Sequence, residues 1–143
     1  MNVINDVYKR DLQLLLWCVK SRHHKRFIAF VRIISKTGDG YMQLALPIFF
    51  LIREPSSGFS FFVLVVAAFA IERPIYFVLK NTLKRPRPPE VVPHFFSVIT
   101  PSDQFSFPSG HTMASFLLAG LTVLYFGSAA SVLYIWAVAV GAS

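Results

Sequence analysis

From Gln104 to Ser143 the chain runs for 40 residues without a Lys, Arg, Asp or Glu. No soluble surface is built that way, because water-facing elements need charge spread along them. Across the whole chain charged residues make up 15%, against roughly 25% in soluble domains. Hydrophobic residues reach 55%, and the mean hydropathy is +0.56. A disordered chain is excluded, since disorder requires low hydrophobicity. A disulfide scaffold is excluded as well, because Cys18 is the single cysteine. A compact soluble enzyme of this length could not place so much apolar surface in one core. The class that remains is a small, basic, integral membrane protein, with room for a few spans of about 20 residues each.

The charge is concentrated. The formal net charge is +7, from 14 basic and 7 acidic residues. Eight of the basic residues precede Tyr41: Lys9, Arg10, Lys20, Arg22, Lys25, Arg26, Arg32 and Lys36. Four more are Lys80, Lys84, Arg85 and Arg87, and only Arg53 and Arg73 lie elsewhere. A nucleic-acid binder can be this basic, but it would not end in a long uncharged apolar stretch. A membrane accounts for both features, so the expected partner is the membrane and not nucleic acid.

Apolar periodicity divides the chain. Residues 1–26 lack the cleavage-site pattern of a signal peptide. Ile4, Tyr8, Leu12, Leu15, Leu16 and Val19 recur at helical spacing. They predict an amphipathic helix, lying on the membrane surface or packed on the rest of the protein. His23 and His24 sit in a basic run without a second ligand pair, so no metal site is expected. Ser35–Gly40 reads as a turn. Tyr41–Ile52 reads as a first span, with Pro47 tolerable inside it. Arg53–Gly58 reads as a short loop between antiparallel helices. Phe59–Leu79 reads as a second span. Glu72 and Arg73 near its end are read as structural or supporting. Lys80–Phe107 is a polar loop rich in Pro, with Phe95, Phe96, Phe105 and Phe107. A third span runs from Pro108 to about Phe126, Gly127-Ser128 turns, and Ser128–Ser143 forms most of a fourth. Ser115 and Ala119, four apart, offer a small-residue face for close helix packing. The expected fold is all-α: a multi-span membrane helical bundle of three to four membrane helices plus the N-terminal amphipathic helix. Residues 1–34 form a basic segment and residues 35–143 the membrane domain.

Two clusters carry chemistry. The first is Lys80, then six residues, then Arg87-Pro88. The second is Pro108-Ser109-Gly110-His111, at the start of an apolar helix. A helix start presents unpaired N–H groups and a positive dipole end, which suits a phosphate. Pro108 fits a helix start, and Ser109 is a good N-cap. Gly110 lets an anion approach the backbone. His111 then falls in the first turn, where it can pass a proton near neutral pH. Lys80 supplies a point charge, and Arg87 a planar, two-pronged grip on phosphate. Either cluster alone would more often be an interfacial positive flank or a plain helix start.

The two motifs in this order resemble the type 2 phosphatidic acid phosphatase family, which shares its active site with the vanadium haloperoxidases. The resemblance covers roughly residues 35–143. It implies that Lys80, Arg87, Ser109 and Gly110 bind phosphate and that His111 is the general acid. It implies no metal or other cofactor for the phosphatase reaction. The implied substrates are lipid phosphates or isoprenoid diphosphates, among them phosphatidic acid and phosphatidylglycerophosphate. The implied location is an integral protein of the bacterial inner (plasma) membrane.

The family's third motif is Ser-Arg, five residues, His, three residues, Asp. It holds the nucleophilic His and is absent from this sequence. Ser143 stands where its Ser would be. The expectation is therefore a phosphatase truncated before its third motif, incomplete relative to the family and inactive as written. The competing expectation is a non-catalytic membrane protein that binds phosphate or anionic lipid. Positive-inside bias places the N-terminus in the cytoplasm. With two spans before the loop the site shares that face; if residues 27–34 enter the membrane, it faces outward.

Overall fold

The computed structural model describes residue 13 and residues 24–85 and 105–143. The expected N-terminal amphipathic helix, Arg87-Pro88, and Phe95 and Phe96 lie outside the described residues. Among the described residues the elements are helical: α1 (His24–Thr37), α2 (Tyr41–Arg53), α3 (Pro55–Leu83), α4 (Gly110–Phe126), a 3₁₀ turn (Ser128–Ser131) and α5 (Val132–Gly141).

Two boundaries differ from the sequence expectation. α1 continues through Ser35, Lys36 and Thr37, so the turn is confined to Gly38-Asp39-Gly40. Thr37 Oγ1 donates to the Ile34 carbonyl at 2.6 Å, which satisfies an acceptor at the helix end. Gly40, at φ 95°, then supplies the left-handed residue that starts α2. The loop expected over Arg53–Gly58 shrinks to Glu54 alone, because Pro55 opens α3 at a position suited to proline. Gly58 permits this tight reversal: a Cβ there would lie 2.3 Å from the Phe50 carbonyl oxygen.

α2, α3, α4 and α5 alternate in direction. At one end Phe50, Phe61 and Phe126 meet. Phe50 stacks on Phe126 with centroids 3.9 Å apart, and Phe61 meets Phe126 edge-on at 5.0 Å. Tyr125 donates its hydroxyl to the Ser57 carbonyl at 2.8 Å, tying α4 to the start of α3. The core is Phe61, Val65 and Leu118, surrounded by Met42, Leu46, Phe69, Leu121 and Trp136 among others. Ser115 and Ala119 are fully buried, as the small-residue face predicts. The other end gathers Gly38-Asp39-Gly40, the last turns of α3 and α5, and the first turn of α4. Trp136 Nε1 donates to Thr37 Oγ1 at 2.8 Å and fastens α5 to the end of α1.

α3 is the one described helix long and apolar enough to cross a membrane. At 1.5 Å per residue its 29 residues extend roughly 44 Å, beyond the roughly 30 Å hydrocarbon core. Only 11% of its apolar window is buried within the protein. α2, α4 and the segment Ser128–Gly141 are apolar but shorter.

Candidate phosphate site

Lys80, the first residue of one motif, lies near the end of α3, and Pro108-Ser109-Gly110-His111, the other motif, lies at the start of α4; the fold brings these together. Lys80 lies in the last turn of α3, where a cation interacts well with the helix dipole. Its side chain is buried, with the residue 7% exposed. Such a charge needs partners. Lys80 Nζ donates to the Tyr76 hydroxyl at 2.8 Å and to the Pro108 carbonyl at 3.4 Å. It also lies 5.0 Å from the centroid of the Tyr76 ring, within cation–π range.

Ser109 caps α4. Its Oγ accepts from the Thr112 N–H at 3.4 Å, and its carbonyl accepts from the Met113 N–H at 3.0 Å. A hydroxyl has a donor besides its acceptor lone pairs, so the cap leaves the Ser109 O–H able to donate to an anion. Gly110 has a second reason to lack a side chain. A Cβ there would lie 3.3 Å from the Tyr76 ring, so the glycine seats the first turn of α4 on that ring.

Tyr76 sits at the centre of this arrangement. Arg73 lies 5.1 Å from the same ring. Arg73 also binds the buried Glu72 through two hydrogen bonds, the Nη2–Oε1 one at 2.8 Å. The two residues read from sequence as structural or supporting thus form an ion pair between neighbours on α3. In addition, Arg73 lines the cavity that contains His111. That cavity, of about 570 Å³, is lined by Asp39, Gln43, Arg73, Tyr76, Gly110 and His111, with Phe69 and Ala114 on its apolar side. His111 is partly exposed there, and its Nε2 lies 2.5 Å from Asp39 Oδ1.

The structure thus joins Lys80, Ser109, Gly110 and His111 at one end of the bundle. Arg87 lies outside the described residues. The described ends of its segment are pinned together: Ser106 donates its N–H to the Arg85 carbonyl at 2.9 Å and its hydroxyl to the same oxygen at 3.1 Å. Tyr76, Asp39 and Gln43 were missed by sequence reasoning. Tyr76 had one usable signal, its placement one helical turn before Lys80. For Asp39 the signal was an acid between two glycines directly ahead of an apolar helix. Among the described residues no three His, Cys, Asp or Glu side chains are grouped to hold a metal ion.

The last turn of α5 packs against this end. A Cβ on Gly141 would lie 3.1 Å from Thr112 Cγ2. α5 therefore leads its C-terminal turn to the first turn of α4.

Among known families, the PAP2 superfamily model matches residues 59–143, more than half of the chain. No curated protein and no solved structure matches the chain.

Proposed function

The chain belongs to the PAP2 superfamily, and from that premise we propose that it carries the phosphate-binding part of a membrane-bound lipid phosphatase site. The observation that carries this reading is the placement of Lys80 against Pro108, which sets a buried ammonium beside the Ser109-Gly110-His111 helix start. Lys80 and Arg87 hold phosphate oxygens. Ser109 and the Gly110 backbone add hydrogen bonds, and His111 serves as general acid toward the leaving oxygen. No cofactor takes part.

The substrate in this proposal is a lipid phosphate or isoprenoid diphosphate, and the protein is integral to the bacterial inner membrane. Support comes from the apolar surface. Phe59, Val66, Ile71, Phe77 and Val78 of α3 are each more than half exposed, as are Leu124 of α4 and Ile135 of α5. Apolar side chains exposed in this number are accommodated by a nonpolar medium around them. α2, α4 and α5 complete the multi-span bundle in this reading. α4, at 17 residues, reaches the short end of the spanning range.

A second reading is a non-catalytic protein that holds anionic lipid through its basic residues, favoured by the cluster of eight before Tyr41. Titration of short-chain phosphatidic acid into the protein in nanodiscs separates the two. The phosphatase-site reading predicts saturable binding that persists at high salt and weakens in Lys80→Met and His111→Gln. Binding that collapses with salt and is indifferent to His111 favours the second reading.

A further inference from the structure

Asp39 belongs to neither motif, yet it bonds the titratable side chain of the second. Its Oδ1 reaches His111 Nε2 across 72 positions. The turn that carries it is held from three sides. Behind it, the Gly38 and Asp39 N–H groups donate to the Ser35 and Lys36 carbonyls at 2.9 and 3.1 Å. Ahead of it, the buried Gln43 of α2 donates from Nε2 to the Gly38 carbonyl at 3.2 Å. Beside it, Gly38 packs so closely that a Cβ would lie 3.2 Å from His111 Cβ and 2.9 Å from Val140 Cγ1. The Asp39 backbone needs nothing from His111, and its carboxylate is free of any capping duty at the start of α2. What the held turn achieves is to place a carboxylate on one ring nitrogen, at the wall of the cavity.

An ionised carboxylate only accepts hydrogen bonds, so the shared proton belongs to Nε2. The bond at one imidazole nitrogen decides what the other presents. We infer that Asp39 is a positioning residue for His111: it accepts from Nε2–H, fixes the ring, and assigns Nδ1 to the phosphate ester. The inference rests on the phosphate-site reading and adds to it a specific nitrogen and a residue outside both motifs.

Nitrogen-15 spectroscopy of the histidine rings tests this on the 143-residue protein in phospholipid nanodiscs. The four histidines are assigned with the help of His111→Gln. The expected spectrum has His111 as the Nε2–H form, with that proton shifted downfield by its hydrogen bond. Asp39→Ala should remove the shift and mix the two tautomers. Asp39→Asn, whose Oδ1 still accepts, should restore the Nε2–H form. Inorganic phosphate should bind with a proton taken up on Nδ1, so that both ring nitrogens donate; the Nδ1 signal should move accordingly and the Nε2 bond stay in place. A His111 signal unaffected by Asp39→Ala overturns the pairing. Phosphate that releases the Nε2 bond overturns the positioning role, because the carboxylate would then only occupy the anion's place. If the Asp39 variants act as expected but phosphate moves neither nitrogen, it is the phosphate-site reading that fails, and the positioning role with it.

Discussion

Lys80 Nζ lies 3.4 Å from the Pro108 carbonyl oxygen, although 28 positions separate the two residues. This contact closes the polar segment between α3 and α4 and sets the cation of one motif against the helix start of the other. Neither half would make a phosphate site alone. A buried lysine is costly without an anion or hydrogen-bond partners, and an exposed helix start is only weakly selective. Together they give a fixed charge and aligned donors at one place.

Replacing Lys80 with Met should therefore remove most of the phosphate affinity. Charge-assisted hydrogen bonds contribute about 1.5–3 kcal/mol, which corresponds to roughly 10- to 150-fold in Kd. Calorimetric titration with a short-chain phosphatidic acid would measure it. Unchanged affinity would mean that the Lys80 ammonium serves only to hold α3 on α4.

Tyr76→Phe separates two contributions of that ring. The contact with Gly110 and the cation–π interactions with Arg73 and Lys80 survive, while the 2.8 Å hydrogen bond to Lys80 is lost. A net hydrogen bond contributes about 1 kcal/mol, so phosphate binding should weaken by about fivefold with little change in thermal stability. A variant that instead unfolds several degrees earlier, with normal affinity when folded, would assign Tyr76 to packing alone.

Phe61→Ala should do the opposite. Phe61 is fully buried among Phe50, Tyr125 and Phe126, at the end of the bundle away from His111. Truncating a buried Phe costs about 3–5 kcal/mol. Thermal unfolding should show a large loss of stability, and the folded fraction should keep its phosphate affinity. A parallel loss of affinity in the folded protein would show that the two ends are not independent.

Gly40→Ala isolates a backbone effect. No atom lies within 4 Å of a Cβ at this position, so the cost comes from φ 95° alone. A left-handed conformation costs an L-residue about 1–2 kcal/mol, and Tm should fall by a few degrees. Asn, which tolerates this region better, should recover part of the loss. Equal stability of the three forms would place Gly40 outside any conformational requirement.

Much of this architecture can be read from residue types. Ser109 marks the start of α4 because a hydroxyl before an apolar run is a helix cap, and Gly127 marks its end. Ser115 and Ala119 point to a buried face because small residues let helices approach. Arg53–Gly58 misleads for a physical reason. Proline, serines and glycine normally punctuate loops, yet Pro55 fits the first turn of α3, and Gly58 removes the clash that would keep α2 and α3 apart. Asp39 and Tyr76 were not legible as site residues because their roles depend on contacts across the bundle. The local signals, an acid between two glycines and an aromatic one turn before Lys80, mark the positions without reporting that the acid ahead of α2 meets a histidine on α4. Lys80, Ser109, Gly110 and His111 could be singled out as candidates because their motifs are defined by spacing along the chain, and the fold gathers them at one end of the bundle.

The central claim is that Lys80 and His111 hold one phosphorus between them. Solid-state nitrogen–phosphorus dipolar recoupling, on protein labelled at Lys Nζ and the His ring nitrogens and loaded with a lipid phosphate, tests it directly. The account predicts that both Lys80 Nζ and His111 Nδ1 couple to the same phosphorus at roughly 4 Å, the reach of one N–H···O–P hydrogen bond. The Lys80 coupling should vanish in Lys80→Met. Coupling to neither nitrogen, or to lysines other than Lys80 alone, would contradict the account.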